Sequence, residues 1–138
     1  MLVSTKGRYG LRSMVELALN YQEGPLPLRV IAERQEISES YLEQVFASLR
    51  KAGLVRAVRG SFGGYVLARP APEITVEEIL TALEGPIVPV SCVEDSDSAN
   101  CPRMESCLTY PLWKKLADRI NEVLASTTLQ DLADQARA

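Results

Sequence analysis

Residues 37–69 carry the string ISESYLEQVFASLRKAGLVRAVRGSFGGYVLAR, which decides the fold. Its first part predicts a helix over 39–52, because apolar side chains recur there at helical spacing. The buried stripe of that helix is expected to consist of Leu42, Val45, Phe46 and Leu49. Ser38 is a candidate N-cap, since its hydroxyl can accept from the first free backbone N–H groups. Ser40 and Glu43 form a second candidate capping box.

A hairpin is predicted immediately after this helix. Gly53 suits the end of the helix, and two short β-prone runs follow at 54–58 and 65–69. The link between them, RGSFGG at 59–64, is rich in glycine, so the two runs predict antiparallel strands joined by a loop. Prolines at 70 and 72 end the second strand.

Two further helices are predicted upstream. Apolar spacing indicates a helix over 8–22, stopped by the Gly24-Pro25 pair, and a short helix over 28–35. A three-residue break at 36–38 separates the short helix from 39–52. Helix, helix, short break, helix and hairpin is the order of a winged helix-turn-helix, in which 39–52 is the recognition helix.

Downstream, the pattern is helical with one loop. A helix over 76–83 is predicted after a Thr75 cap, and its early glutamates suit a helix N-terminus. A long helix over 112–126 follows Pro111. Its apolar stripe is expected to contain Leu112, Leu116, Ile120, Val123 and Leu124. Thr128 is a candidate cap for a short terminal helix.

These elements define a fold class and a domain division. We expect a mainly α protein with a small β-hairpin wing, built as a winged helix-turn-helix with a long C-terminal helix. Residues 1–72 are the predicted DNA-binding domain. Residues 73–138 are the predicted sensor and dimerisation region, with a cysteine loop at 92–107.

Charge is distributed unevenly along the chain. Residues 1–70 contain ten Lys/Arg and six Asp/Glu, a net charge of +4, whereas residues 71–138 contain five and twelve, a net charge of −7. The sum is the −3 of the whole chain. A basic half joined to an acidic half is expected when the basic half meets phosphate, so the net acidity does not exclude DNA as a partner.

Composition argues against several classes of protein. No apolar run approaches 18 residues, and the opening MLVSTKGRYG lacks the apolar core of a signal peptide. We therefore expect no membrane association and a cytoplasmic address, where a structural disulfide is not favoured. The chain has no histidine, no phosphate-binding glycine loop opening a helix and no nucleophile elbow, so we do not expect an enzyme.

The predicted recognition helix presents a polar set at its N-terminus, where such helices reach base edges. The candidate DNA-binding residues are Ser38, Ser40, Tyr41, Glu43, Gln44, Arg59, Gly60, Gly63 and Gly64. Serine and glutamine can exchange hydrogen bonds with bases, and glutamate can accept from cytosine. Arg59 can follow a phosphate or enter a minor groove, and the glycines let the backbone approach the duplex. Glu43 as a helix cap and Tyr41 as a half-buried core residue are the alternatives.

Three strings together resemble the Rrf-type winged-helix regulators: TKGRYGLRSMVELAL, the stretch 37–69, and CLTYPLWKKLADRINEVLASTTLQDL. The resemblance covers nearly the whole chain and implies a homodimer paired through the long C-terminal helix on a double-stranded operator. It further implies that Ser40, Tyr41, Glu43 and Arg59 contact or discriminate DNA. This chain departs from the family pattern at Glu36, where glycine is expected; in a left-handed conformation glutamate costs about 1 kcal/mol.

The three cysteines lie within sixteen residues, at Cys92, Cys101 and Cys107. Thiolates are the ligands that iron–sulfur clusters use, normally four per cluster or with one replacement. The spacing itself leaves open a metal site, a thiol switch or incidental cysteines. The resemblance favours an iron–sulfur cluster, of 2Fe–2S or 4Fe–4S type, because the iron–sulfur branch of the family has three cysteines just before its dimer helix.

The fourth ligand of such a cluster is not evident. The family's iron–sulfur members use a histidine at the position of Tyr110, an aspartate at the position of Arg8, or glutamate and histidine in the region of Arg8 and Arg12. None of these solutions transfers to this chain. The remaining candidates are Tyr110, Glu105, Asp97, Glu94, Asp95 and Asn100, or an external molecule.

The sequence thus predicts a transcription regulator, expected to be a repressor, whose cluster controls operator binding in response to iron–sulfur, redox or nitric-oxide status. Ordering of 92–107 by the cluster would shift the population of DNA-binding states. One alternative is a cluster-free regulator of cysteine or sulfur metabolism, controlled by a thiol switch or by a partner protein. The other is a zinc-stabilised interaction module.

Overall fold

The computed structural model describes residues 3–93 and 106–137. The helices are α1 (Thr5–Leu19), α2 (Leu28–Gln35), α3 (Glu39–Lys51), α4 (Val76–Glu84), α5 (Tyr110–Ser126) and α6 (Leu129–Asp134), and the strands are β1 (Val55–Val58) and β2 (Gly64–Leu67). Short 3-10 turns lie at Ala71–Glu73, Ser91–Val93 and Gln135–Arg137. The predicted class, mainly α with a hairpin wing, is confirmed. None of the helices in this part of the chain is long and apolar enough to cross a membrane.

The first helix lies three residues earlier than its apolar spacing predicts. Ser4 is its N-cap, with a side chain that accepts from the backbone N–H of Gly7. The helix ends at Leu19, before the Gly24-Pro25 pair, and the Asn20 amide donates to the carbonyl of Gly24 at 2.9 Å. The cap and this local hydrogen bond set the two ends, because each gives the backbone an alternative to a further helical turn.

The break between α2 and α3 is a tight left-handed turn. Glu36 adopts φ 55° and ψ 47°, and the N–H of Ile37 donates to the carbonyl of Ala32 at 3.0 Å, which closes α2. Ser38 then caps α3 by accepting from the N–H of Tyr41 at 3.1 Å, as predicted. The second capping box is wrong: Ser40 lies inside the first turn of α3, because the cap at Ser38 starts the helix earlier.

Glu36→Gly is expected to raise the free energy of unfolding by about 1 kcal/mol, because glycine adopts the left-handed conformation without a Cβ penalty. Urea denaturation followed by circular dichroism measures the change. Glu33→Gly is the matched control, because Glu33 is also exposed but has helical backbone conformation. This variant should lower the free energy of unfolding by about 1 kcal/mol instead. Equal signs for the two variants would show that the turn is not strained.

The wing follows α3 directly. Gly53, at φ 77°, reverses the chain, and the N–H of Leu54 returns to the carbonyl of Leu49 at 3.0 Å. The two strands pair antiparallel, with Val55 opposite Leu67 and Val58 opposite Gly64. Both strands are shorter than the predicted runs. Leu26 adds a bridge on the outer edge of β2 by exchanging two backbone hydrogen bonds with Tyr65, at 3.0 and 2.9 Å.

One main core joins residues from nearly the whole length of the chain. Its most deeply buried members are Met14, Ile31, Leu42, Val45, Phe46, Leu49, Val55, Ile74, Ile79 and Leu129. The predicted stripe of the recognition helix is therefore fully buried. The last helix, α6, returns to this core through Leu129 and Ala133, and a bridge between Thr75 and Thr128 fixes the return. The division at 72/73 remains a prediction, and residues on both of its sides share this core.

The long helix α5 divides its predicted stripe between two environments. Ile120 and Leu124 pack against a small second cluster of Val76, Leu80 and Ile87. Three other members of the stripe stay exposed in the single chain: Leu112, Leu116 and Val123. Of the 17 residues of α5, Ala117 alone is buried. The helix begins at Tyr110, two residues before the predicted start, with Pro111 in its first turn.

Candidate DNA-reading surface and cysteine segment

The N-terminus of α3 presents an exposed polar surface. Four of its residues are exposed, namely Ser38, Ser40, Glu43 and Gln44, whereas Leu42 and Val45 face inward and are buried. The hydroxyl oxygen of Ser38 is occupied by its cap, so its hydrogen remains to donate to an external acceptor such as a phosphate. The helix N-terminus adds a partial positive charge, which favours an anion at this end. The chemistry suits contact with a duplex.

Tyr41 is half-buried and part of an aromatic and cationic network. Its ring meets Tyr9 of α1 edge-on, with centroids 6.2 Å apart, and the Arg12 guanidinium lies 5.3 Å from the centroid of Tyr9. Arg12 Nε also donates to Gln35 Oε1 at 2.7 Å, and Gln35 Nε2 donates to Glu16 Oε1 at 2.7 Å. This network ties α1 and α2 to the start of α3, and it therefore positions the recognition helix. The half-buried alternative for Tyr41 agrees with this packing.

The wing places Arg59 at the end of β1 with its side chain exposed. The glycines beside it have a role inside the protein. A Cβ on Gly63 would overlap the backbone of Val58, and a Cβ on Gly64 would lie 2.5–2.7 Å from backbone atoms of Leu26 and Pro27. Gly60, Gly63 and Gly64 were predicted to allow a close approach of the backbone to DNA. The chain's own packing already requires glycine at positions 63 and 64.

The stretch that runs from the middle of the recognition helix through the wing is free of acidic residues, whereas the start of that helix carries Glu39 and Glu43. Residues 44–72 contain five Lys/Arg (Arg50, Lys51, Arg56, Arg59 and Arg69) and no Asp or Glu. Arg56 and Arg59 are exposed on the hairpin, whereas Arg69, at the other end of β2, pairs with Glu78 of α4. This stretch is the strongest positive region of the basic half, and a polyanion is the partner that it fits.

Phe62, on the same surface, is not among the DNA-binding residues predicted from the sequence. Its side chain is 94 % exposed at the tip of the wing. The signal was present in the sequence, because a large aromatic residue stands in a link otherwise made of arginine, serine and glycine.

The described part of the cysteine segment contains two thiols. Cys92 lies in the 3-10 turn Ser91–Val93, which packs against α5, and Cys107 lies three residues before that helix. Both are half-buried. The Cys107 Sγ and the Thr109 Oγ1 are 3.3 Å apart. Cys101 and the candidate ligands Glu94, Asp95, Asp97, Asn100 and Glu105 lie outside the described residues.

The candidate fourth ligands can be compared where the structure describes them. Tyr110 is half-buried as the first residue of α5 and lies three positions after Cys107 in the chain. Arg12 is engaged by Gln35 and stacked on Tyr9, and Arg8 is exposed. Within residues 3–93 and 106–137, no three cysteine, aspartate or glutamate side chains gather as a metal site.

Comparison with known proteins gives a consistent result over the full length. A model of the Rrf2 family, described as iron-dependent transcriptional regulator, matches residues 3–135. The chain is 48 % identical over 133 residues to the HTH-type transcriptional regulator CymR of Bacillus subtilis, across 96 % of this chain and 90 % of that protein. It is 45 % identical over 134 residues to the HTH-type transcriptional regulator IscR of Photorhabdus laumondii, across 97 % and 80 %.

Solved structures give the same two kinds of relative. The structure of CymR (YrzC), the global cysteine regulator of B. subtilis, superposes with a TM-score of 0.81 at 47 % identity, covering 98 % of both chains. IscR of T. potens superposes with a TM-score of 0.79 at 44 % identity, covering 99 % of this chain and 88 % of that chain. The two kinds of relative match to a similar extent, so likeness alone does not discriminate between their modes of control.

Proposed function

This chain belongs to the Rrf2 family of transcriptional regulators, and from that premise we propose that it is a homodimeric repressor whose operator binding is controlled by an iron–sulfur cluster. Cys92, Cys101 and Cys107 would hold the cluster. The observation that carries the proposal is that Cys92 and Cys107 are half-buried thiols at the two ends of one segment, the first in a turn packed against α5 and the second three residues before that helix. Thiolates bound to iron supply a centre that oxidants, nitric oxide or iron shortage can alter.

The packing offers a route from the cysteines to the DNA surface. The turn that holds Cys92 lies against α5, and α5 packs through Ile120 and Leu124 on the cluster that contains Leu80 of α4. The helix α4 in turn packs against both α1 and α3. A change in the order of residues 92–107 would therefore bias the position of the recognition helix. This is a population shift carried by packed helices.

The cluster is tested by anaerobic reconstitution with iron and sulfide, followed by metal and sulfide counts and visible absorbance. We expect uptake of both elements by the wild type, and loss of absorbance in Cys92→Ala, Cys101→Ala and Cys107→Ala. Thr109→Val is the matched control, because it removes the hydroxyl beside Cys107 and keeps all three thiols. Absence of iron from the wild type would refute the cluster, and zinc without sulfide would indicate the interaction module.

A second candidate is a cluster-free regulator of cysteine or sulfur metabolism, controlled by a thiol switch or by a partner protein. The likeness to CymR of B. subtilis, at 48 % identity, favours it to about the same degree. Metal-free protein whose DNA affinity changes with thiol oxidation would support the thiol switch. Metal-free protein whose DNA affinity does not change on thiol oxidation would support control by a partner protein.

The DNA contact of the wing can be measured at Arg59. Arg59→Ala is expected to weaken operator binding and to reduce the slope of log affinity against log salt by about 1, because one phosphate contact is lost. A duplex selected from a randomised pool by the wild type serves as the probe. Arg69→Ala is the control, since Arg69 is paired with Glu78 at the far end of the hairpin. Unchanged affinity and slope in Arg59→Ala would remove Arg59 from the interface.

The homodimer is proposed from the surface of α5. Leu112, Leu116 and Val123 form an exposed apolar line on a 17-residue helix that buries one residue in the single chain. A second copy of the same helix is the simplest cover for such a line, because a two-fold contact pairs the same patch on both subunits. Two recognition helices would then reach two half-sites of one operator.

A further inference from the structure

The wing exposes one large aromatic side chain at its tip. Phe62 is 94 % exposed, and among the described hairpin residues Val58, at 40 %, is the other exposed large apolar side chain. Burying a phenylalanine removes a large apolar area from water and stabilises whatever contact achieves it. The folded chain does not bury Phe62, so a contact that uses this apolar area would come from another molecule.

The backbone holds the ring away from the protein. The N–H of Gly63 donates to the carbonyl of Gly60 at 3.0 Å, which makes a tight turn with Ser61 and Phe62 at its two corners. The close approach of Gly63 to the Val58 carbonyl keeps that turn compact. With glycine and serine as neighbours, the Phe62 ring is the projecting group of a narrow tip.

The surroundings of the tip favour a polyanion as its partner. Residues 44–72 carry five cationic side chains and no anionic one, and Arg59 stands at the start of the same loop. A protein-docking patch needs a contiguous apolar area made of several side chains, whereas this tip offers a single aromatic ring with small residues as neighbours. The minor groove of DNA is about 6 Å wide, and apolar wedges that enter such a groove unstack base steps and kink the duplex.

We propose that Phe62 is an apolar wedge that the wing inserts into the minor groove, where it partly unstacks one base step beside the major-groove contacts of α3. This inference rests on the proposed function as a DNA-binding regulator and deepens it. The protein would then recognise how easily the duplex deforms as well as which base edges it presents, because flexible pyrimidine–purine steps accept a wedge at a lower energy cost. Operators are therefore expected to carry such a step where the wing lies.

The experiment uses the full-length protein and a duplex that the wild type selects from a randomised pool. The base 2-aminopurine, whose fluorescence rises on unstacking, replaces one adenine at a time along the duplex. Wild-type protein should raise the fluorescence at one step in each half-site. Phe62→Ala should abolish that rise and weaken binding by roughly tenfold to a hundredfold, the loss expected for one stacking contact.

Two variants serve as controls for the wedge. Phe62→Leu keeps apolar bulk and should retain part of the fluorescence rise, and Ser61→Ala, at the neighbouring corner, should behave as wild type. The melting temperature of Phe62→Ala should equal that of the wild type, because the ring is exposed in the folded chain. A wedge contact is independent of charge, so the salt slope of Phe62→Ala should also be unchanged.

The possible outcomes test the Phe62 wedge and DNA binding separately. If the wild type selects no duplex, DNA binding itself fails. If it selects one and Phe62→Ala matches its affinity and its fluorescence pattern, the wedge is overturned. A weaker Phe62→Ala complex that keeps the fluorescence rise would also overturn it, because the step would then be unstacked by another group.

Discussion

Replacing Gly64 with alanine is expected to lower the free energy of unfolding by about 2–4 kcal/mol. A Cβ at this position would lie 2.5 Å from the carbonyl carbon of Leu26, 2.6 Å from its oxygen and 2.7 Å from the nitrogen of Pro27. These are backbone atoms, so no side-chain rotation relieves the overlap. The neighbouring pair of hydrogen bonds between Leu26 and Tyr65 would be stretched or lost as the strand moves out.

The matched control is Gly24→Ala. Gly24 also has a positive φ, of 87°, but a Cβ there would meet no heavy atom of the described residues within 4 Å. It should therefore show only the conformational cost, about 1 kcal/mol. Urea denaturation followed by circular dichroism measures both. Equal losses in the two variants would mean that the contact at Leu26 relaxes freely and that the wing is not anchored there.

Val123→Glu is expected to convert the proposed dimer to a monomer and to weaken operator binding at least about a hundredfold, because the second half-site contact is no longer intramolecular. Val123 is 61 % exposed in the single chain and lies on one line with Leu112 and Leu116. In a two-fold interface the substitution would bury two like charges near each other, which is strongly unfavourable. Sedimentation velocity and DNA titration at fixed salt measure the two effects.

Asn121→Glu provides the same added charge on the other side of α5. At 100° per residue, position 121 lies opposite Leu112 on the helix, and its side chain is exposed. This variant should remain a dimer and bind DNA as the wild type does. The Val123→Glu monomer should still be folded, because Val123 belongs to neither apolar cluster of the single chain. A Val123→Glu protein that stays dimeric would exclude this face of α5 as the interface.

The features that sequence predicted well depend on local chemistry. Ser38 caps α3 and Gly53 ends it because capping is decided within a few residues. Glu36 adopts the left-handed conformation at the position where the family pattern has glycine, although glutamate itself does not favour that conformation. A fold class assembled from such signals was confirmed.

The features that sequence missed depend on contacts between distant residues. Gly64 is fixed by Leu26, nearly forty positions earlier, and no local pattern indicates that neighbour. The stripe of α5 divides into a packed pair and an exposed line only once α4 supplies the surface that covers Ile120 and Leu124. In the candidate site, the polar residues at the N-terminus of α3 could be predicted from the sequence. The contacts among Tyr9, Tyr41 and Arg12 could not, because they depend on how α1 packs.

The return of α6 has a consequence for any attempt to isolate a minimal DNA-reading fragment. Leu129 and Ala133 fill places in the main core, and the N–H of Leu129 donates to the carbonyl of Ile74 at 2.8 Å. A truncation at residue 72 would uncover that apolar surface, although every candidate DNA-binding residue would still be present. A working fragment would instead need a short engineered linker that replaces the excursion through α5 and rejoins α4 to α6.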